Sequence, residues 1–232
     1  MRGDQFDPAR PKPDGLIGDV PSSVAALAAL LAFIFFAPLL APPQIDAWIS
    51  VTFGLSPQRL FLGGAGPGGW FGAIFPLFTH FLLHASLAHL LFNLLWLAVF
   101  GAPVARRFRS ALRFYLFFTA CSIAGGVFFS AFHMNDPTLL VGASGGITGL
   151  LGGMVRFAFH RPFTKAVSAK GVLPLTDRSV LTWSAVVIGM NASIAIFGPG
   201  VGAGDAEIAW QAHVGGYLFG LVAFPLFDPR LR

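Results

Sequence analysis

Six stretches of this sequence carry no Asp, Glu, Lys or Arg, and each approaches the roughly 20 residues that a helix needs to cross a bilayer. They are residues 22–43, 86–104, 114–133, 139–155, 179–198 and 208–227. Only 11% of all residues are charged, whereas a soluble domain carries about 25%. The pattern predicts an all-α membrane protein that crosses the bilayer six times.

The basic residues predict the orientation of these spans. If the N-terminus is cytoplasmic, every Lys and Arg except Arg59 falls in an inner segment. Cytoplasmic loops of membrane proteins carry an excess of these residues, so both termini are expected in the cytoplasm. The same asymmetry accounts for the basic composition, and no nucleic-acid partner is expected.

The chain is expected to divide into three parts. Residues 1–21 are polar and contain several Pro and Asp, which predicts a disordered cytoplasmic tail. Residues 22–227 form the membrane domain, and residues 228–232 form a cytoplasmic C-terminal end. No signal peptide or other presequence is evident, so the expected location is a bacterial plasma (inner) membrane. The sequence does not predict the oligomeric state.

The outer segment 44–85 is apolar and aromatic, yet Pro and Gly interrupt it too often for a spanning helix. We expect it to lie partly in the outer leaflet as a membrane-embedded first outer loop. Trp48 and Trp70 suit the interface, since indole rings favour that region. The single cysteine, Cys121, lies in the third span and excludes an intramolecular disulfide.

The ten acidic residues all lie in tails, loops or span ends. An intramembrane aspartyl protease needs a pair of carboxylates within its spans, and a proton-coupled pump usually needs at least one. The distribution therefore argues against both classes. The membrane region instead holds histidines and an amide: His80, His84, His89, Asn93 and His213.

A serine stands among glycines in the fourth span, in LLVGASGGITGLLGGM at residues 139–154. Ser144, His89 and His213 each come a few residues into a span at its outer end, so they are expected at one depth. Small residues follow two of them: Thr148 and Gly152 after Ser144, and Gly216 and Gly220 after His213. Small residues let two helices approach closely. We therefore expect the Ser144 hydroxyl within hydrogen-bond reach of the His213 ring, with Gly142 and Gly145 leaving room for a substrate backbone.

These residue types predict acyl-transfer chemistry. A serine becomes a strong nucleophile when an adjacent base takes its proton, and histidine suits that task near neutral pH. The Ser144 backbone N–H, the Asn93 amide and a ring N–H of His89 are candidate donors to an oxyanion. No carboxylate is placed to complete a triad, so the interpretation is a Ser/His dyad.

A metal site is the alternative for His80, His84 and His89. A zincin site needs a Glu beside its first His, and the sequence has none there. We therefore expect neither a metal nor a cofactor.

Three segments carry a resemblance to a known family. The second span contains HASLAHLLFN, the fourth contains GASGGITGLLGG and the sixth contains AHVGGYLFG. In these motifs and their order the chain resembles the rhomboid family of intramembrane serine proteases, over about residues 22–227.

The resemblance implies a rhomboid-type bundle of six helices and cleavage of single-pass membrane proteins within or beside their transmembrane segments, in a lipid bilayer. It implies Ser144 as nucleophile and His213 as general base. His89 and Asn93 would be the oxyanion donors. It further implies that the fifth span and the loop 199–206 gate lateral entry of the substrate.

The chain departs from the family at several positions. Thr148 stands where the family often has an aromatic residue that packs on the catalytic histidine. Ala105 and Arg109 stand where a Glu and a Gly are common, and Phe71 follows Trp70 where an Arg is often seen. None of these changes removes a reacting group.

Two other functions compete with the protease. One is a catalytically silent rhomboid-like protein that binds transmembrane helices, although such proteins usually lose the Ser or the His. The other is a small-solute channel or transporter, which the missing internal repeat and the missing intramembrane carboxylate argue against.

Overall fold

The computed structural model describes residues 20–159, 171–197 and 209–231. These residues form ten α-helices, joined by short 3-10 helices and turns. The helices are α1 (Ser22–Phe36), α2 (Pro43–Phe53), α3 (Pro57–Leu62), α4 (Gly69–Ile74), α5 (Leu87–Trp96), α6 (Ala102–Phe108), α7 (Ala111–Phe132), α8 (Ser144–Val155), α9 (Arg178–Phe197) and α10 (Trp210–Phe227). The predicted all-α character is confirmed for this part of the chain. Residues 1–19 of the predicted tail lie outside the described residues. The whole loop 199–206 lies outside them as well.

Three helices among the described residues are long and apolar enough to cross a membrane: Ser22–Leu40, Leu87–Phe108 and Ala111–Phe132. The first continues α1 through a 3-10 turn, and the second joins α5 to α6 through the π-helical turn Leu97–Gly101. They correspond to the first three predicted spans. The fourth, fifth and sixth spans remain predictions.

Serine side chains set where several of these helices begin. The Ser86 hydroxyl accepts a hydrogen bond from the backbone N–H of His89 at 3.1 Å, at the start of α5. Ser110 caps α7 in the same way, at the N–H of Arg113. Such caps satisfy an N–H group that the helix itself leaves without a partner. Arg109, directly after the last residue of α6, has a φ of +53°, and the resemblance places a Gly at this position.

The fourth predicted span, 139–155, differs from the helix that forms there. Helix α8 begins only at Ser144 and has 12 residues, which is about 18 Å at the usual rise per residue. Leu140 instead pairs with Leu55 of the outer segment, and the two residues exchange backbone hydrogen bonds of 2.8 and 3.0 Å. Gly142 has a φ of +118°, a conformation outside the helical region. Because of the extended pairing and this glycine, the helix begins only at Ser144.

Helix α8 packs between α7 and α10, in the centre of the structure. Glycines allow this close approach: a Cβ at Gly216 would overlap the carbonyl oxygen of Gly145, and a Cβ at Gly220 would overlap that of Gly149. Buried aromatic side chains fill the space nearby, among them Phe117, Phe118 and Phe224. The backbones of α8 and α10 are therefore in direct contact along their small-residue faces.

Two buried arginines join segments at the end of the bundle opposite Ser144. Arg107 of α6 donates to Asp228 from Nε at 2.9 Å and from a terminal nitrogen at 2.5 Å, and both side chains are buried. Arg156, directly after α8, donates to the carbonyl oxygens of Leu173 and Leu221. These contacts fix the ends of α6, α8 and α10 relative to one another.

Candidate active site

Ser144 and His213 contact each other across the α8–α10 interface. The distance from Ser144 Oγ to His213 Nε2 is 2.8 Å. Ser144 is the first residue of α8, and His213 lies in the first turn of α10, so both stand at the same end of the close helix pair. A hydroxyl and an imidazole in this geometry can transfer a proton between them.

The glycines around Ser144 explain how the two helices come this close. A Cβ at Gly145 would lie 3.3 Å from the carbonyl oxygen of Ala212 on α10. At Gly216 a Cβ would overlap the Gly145 carbonyl oxygen, as noted above. Gly145 and Gly216, two of the predicted small-residue positions, therefore lie at the interface itself, and a side chain at Gly216 would force the two helices apart.

The start of α8 also presents backbone donors. The first four N–H groups of an α-helix have no partner within the helix, and they carry the positive end of its dipole. Ser144 occupies that position in α8. An anionic oxygen that forms next to the Ser144 hydroxyl would lie close to these groups.

His89 reaches this position from α5. A Cβ at Gly142 would lie 2.6 Å from Cε1 and 2.7 Å from Nε2 of the His89 ring. The ring therefore lies against the backbone two residues before Ser144, which only a glycine at position 142 permits. Asn93 follows one turn later on α5, where its Nδ2 donates to the His89 carbonyl oxygen at 2.9 Å. The structure thus brings His89 to the serine segment, with Asn93 one helical turn further along α5.

Thr148 binds backbone atoms and not the ring of the histidine. Its hydroxyl oxygen lies 2.9 Å from the carbonyl oxygen of Ser144, 3.0 Å from that of Gly145 and 3.0 Å from that of His213. The residue that replaces the usual aromatic therefore joins α8 to the main chain of α10.

The ring of His213 has a second partner, which the sequence analysis missed. Its Nδ1 lies 3.1 Å from Oδ1 of Asn191, on α9. Asn191 is buried and carries an amide within the fifth predicted span. Polar side chains inside membrane spans are functional candidates by default, and that signal was available in the sequence.

The other two histidines of the region have different surroundings. The Nδ1 of His80 lies 2.9 Å from the carbonyl oxygen of Pro76, and its ring packs against Gly126 of α7. The ring of His84 meets that of His89 edge to face, with centroids 5.1 Å apart. No group of three or more metal-binding side chains occurs among the described residues.

A family model supports the resemblance seen in the motifs. The model of the Rhomboid domain matches residues 72–229, which include α5 to α10 and every residue of the site. The chain belongs to the rhomboid family. With its long apolar helices, this rhomboid is a multi-pass integral membrane protein.

A curated relative agrees with this membership. The chain is similar to "Rhomboid-related protein 2" of Mus musculus, with 28% identity over 212 residues. The match covers 89% of this chain and 64% of the relative. The chain therefore spans somewhat less than two thirds of the relative's length.

Proposed function

We propose that this rhomboid is an intramembrane serine endopeptidase that hydrolyses peptide bonds in or next to transmembrane segments. The observation that carries the proposal is the distance of 2.8 Å between Ser144 Oγ and His213 Nε2 at the packed ends of α8 and α10. A nucleophile within hydrogen-bond reach of a base is the basic requirement of serine-type catalysis.

The reaction we propose begins when Ser144 Oγ attacks the carbonyl carbon of the scissile bond. His213 Nε2 takes the hydroxyl proton as the C–O bond forms. The tetrahedral intermediate collapses, the C–N bond breaks, and His213 returns the proton to the leaving amine. A water molecule then attacks the acyl-enzyme and gives a proton to His213. The ester C–O bond breaks, the acid is released, and His213 returns that proton to Ser144 Oγ.

The oxyanion of the intermediate needs donors that are already in place. We propose that the backbone N–H of Ser144, the ring of His89 and the amide of Asn93 supply them. The position of the His89 ring against Gly142 supports this role, because it lies two residues from the nucleophile. Loss of one such donor typically costs about 100- to 1000-fold in rate.

The proposed substrates are single-pass membrane proteins, which would enter laterally from the bilayer. A helical peptide bond is already hydrogen-bonded within its helix, so a substrate segment must unwind before Ser144 attacks it. We further propose six spans with both termini cytoplasmic, in a bacterial plasma membrane, because Arg59 alone among the Lys and Arg residues would then lie outside.

The test is cleavage of a fluorescent transmembrane substrate in detergent micelles, combined with labelling of Ser144 by a serine-directed phosphonate. Wild type is expected to cleave the substrate and to take the label. Ser144→Ala and His213→Ala are expected to do neither at a measurable rate. A wild-type protein that is inert in both assays would favour a silent rhomboid-like protein that binds transmembrane helices.

A further inference from the structure

Asn191 is the polar side chain of α9 that reaches the candidate active site. Its side chain is 7% exposed, so its amide groups depend on protein partners. Nδ2 donates to the carbonyl oxygen of Val187 at 2.9 Å, and Oδ1 lies 3.1 Å from His213 Nδ1. Both ends of the amide are therefore engaged, one by α9 itself and the other by the proposed base.

The hydrogen-bond partners determine which way the amide points. The Val187 carbonyl oxygen only accepts hydrogen bonds, so the NH2 group of Asn191 must face it. The amide oxygen then faces His213. A flipped amide would place two acceptors against each other at Val187 and would lose that hydrogen bond.

The amide orientation in turn determines the tautomer of His213. Oδ1 of Asn191 only accepts, so the proton of the neutral imidazole lies on Nδ1. Nε2 then carries a lone pair, and it is Nε2 that lies 2.8 Å from the Ser144 hydroxyl. This is the tautomer that accepts the serine proton, whereas the other tautomer would present an N–H to Ser144.

We propose that Asn191 is a positioning residue for His213, which holds the ring in the orientation and tautomer that a general base requires. The inference rests on the proposed protease function and extends the Ser/His pair by a third, orienting side chain. In serine proteases of other folds an Asp has this position beside the histidine. An enzyme whose histidine is held there in the wrong tautomer loses most of its kcat. Here an uncharged amide supplies the same acceptor without placing a charge within the bundle.

A matched control exists on the same face of the same helix. The Ser184 hydroxyl lies 2.8 Å from the hydroxyl of Tyr217, so it also joins α9 to α10, but it does not touch Ser144 or His213. Ser184→Ala removes one interhelical hydrogen bond, as Asn191→Ala does. If Asn191 only helped α9 to dock, the two variants would have similar effects.

The experiment compares wild type, Asn191→Ala, Asn191→Asp and Ser184→Ala in purified full-length protein. We measure kcat and KM for a transmembrane substrate and the rate of phosphonate labelling at Ser144. Thermal unfolding checks that each variant is folded. Asn191→Ala is expected to lower kcat and the labelling rate about 10- to 100-fold with KM nearly unchanged, the size that misplaced reacting groups produce. Asn191→Asp keeps an acceptor for Nδ1 but loses the donor to Val187, and it is expected to be faster than Asn191→Ala and slower than wild type. Ser184→Ala is expected to stay close to wild type.

Each result decides the proposal. Equal losses in Asn191→Ala and Ser184→Ala, or wild-type labelling in Asn191→Ala, would overturn the role of Asn191 and leave the protease function standing. A wild-type protein that neither cleaves nor takes the label would refute the protease function, and the role of Asn191 with it. If Asn191→Ala does not fold, Asn191→Leu replaces it, because Leu keeps the volume of the side chain and removes the acceptor for Nδ1. A labelling rate of Asn191→Asp that is no higher than that of Asn191→Leu would then overturn the role of Asn191.

Discussion

The hydroxyl of Thr148 lies 3.0 Å from the backbone carbonyl oxygen of His213 and joins α8 to α10 beside the Ser144–His213 contact. It also lies within reach of the carbonyl oxygens of Ser144 and Gly145, one turn earlier in its own helix. The carbonyl oxygen of His213, in α10, therefore accepts a hydrogen bond from a side chain of α8. The main chain of His213 is held by α8, and its ring is held by α9.

Replacement of Thr148 by Val removes this hydroxyl at nearly the same volume. We expect a loss of about 1 kcal/mol in the free energy of unfolding, the usual size for one hydrogen bond within a protein. Activity should fall as well, because the carbonyl beside the proposed base loses its partner. Thermal unfolding and cleavage assays test this, with Thr148→Ser as the control that keeps the hydroxyl. Equal behaviour of the two variants would contradict the prediction.

The α8–α10 contact predicts a large effect for Gly216→Ala. The added Cβ would overlap the backbone oxygen of Gly145, so the two helices must separate. Overpacking of this kind typically costs about 1–3 kcal/mol, and here it also separates Ser144 from His213. We expect a lower unfolding temperature and little activity.

Gly189→Ala is the matched control for that substitution. Gly189 is exposed on α9, and a Cβ there would have no atom within 4 Å. Since Ala favours a helix over Gly by about 1 kcal/mol, we expect Gly189→Ala to be neutral or slightly stabilising. Destabilisation of both variants to the same extent would show that backbone contact is not the cause.

Gly142→Ala is expected to impair catalysis more than folding. Its φ of +118° is strained for Ala, and the new Cβ would lie 2.6 Å from the His89 ring. The ring must then move away from the serine segment, and with it a proposed oxyanion donor. We expect kcat to fall while KM changes little. An unchanged kcat would remove His89 from the proposed oxyanion site.

Breaking the buried ion pair of Arg107 and Asp228 should destabilise the protein strongly. The two side chains are 7% and 0% exposed, and the guanidinium also lies 4.6 Å from the ring centre of Phe157. Removing one partner of a buried pair typically costs about 3–5 kcal/mol, because the other charge is left unpaired. Thermal unfolding in micelles of Asp228→Asn measures this loss.

A double variant separates the ion pair from simple packing. In Arg107→Met with Asp228→Leu no buried charge remains unpaired, so we expect it to be more stable than Asp228→Asn alone. A double variant that is the less stable of the two would show that the pair itself contributes net stability.

The proposed base predicts how activity depends on pH. A protonated His213 has no lone pair on Nε2 and does not accept the Ser144 proton, so the rate should rise as the imidazole becomes neutral. Acidification should therefore lower kcat as the His213 ring takes up a proton, and the pH profile of kcat measures this. His89, the neighbouring histidine, also faces this ring, so the profile of a His89→Ala variant shows which ring causes the loss. A kcat that stays constant down to the pH at which the protein unfolds would count against His213 as the base.

Much of the fold was predictable because it follows from local patterns. The first three spans are apolar enough to identify without any tertiary information, and the structure has helices there. The motifs around His89, Ser144 and His213 predicted the family, and the family model confirms it. The glycine spacing after Ser144 and His213 indicated a close helix pair, since small residues on one helical face have few other uses in a membrane.

Other features required the tertiary structure. The segment before Ser144 is apolar enough for a helix, but its pairing with Leu55 makes it extended. Asn191 precedes His213 by 22 residues on a different helix, and Arg107 precedes Asp228 by 121 residues. No spacing rule connects residues that far apart.

The sequence by itself determined the kind of protein, the apolar spans and the residue types available for chemistry, because hydrophobicity and small-residue periodicity act within one segment. Only the tertiary structure decided which atoms meet. The contact of Asn191 with His213 depends on how far α9 is rotated and shifted along its axis relative to α10. That rotation and depth result from the packing of all the neighbouring helices together, and no single segment encodes them.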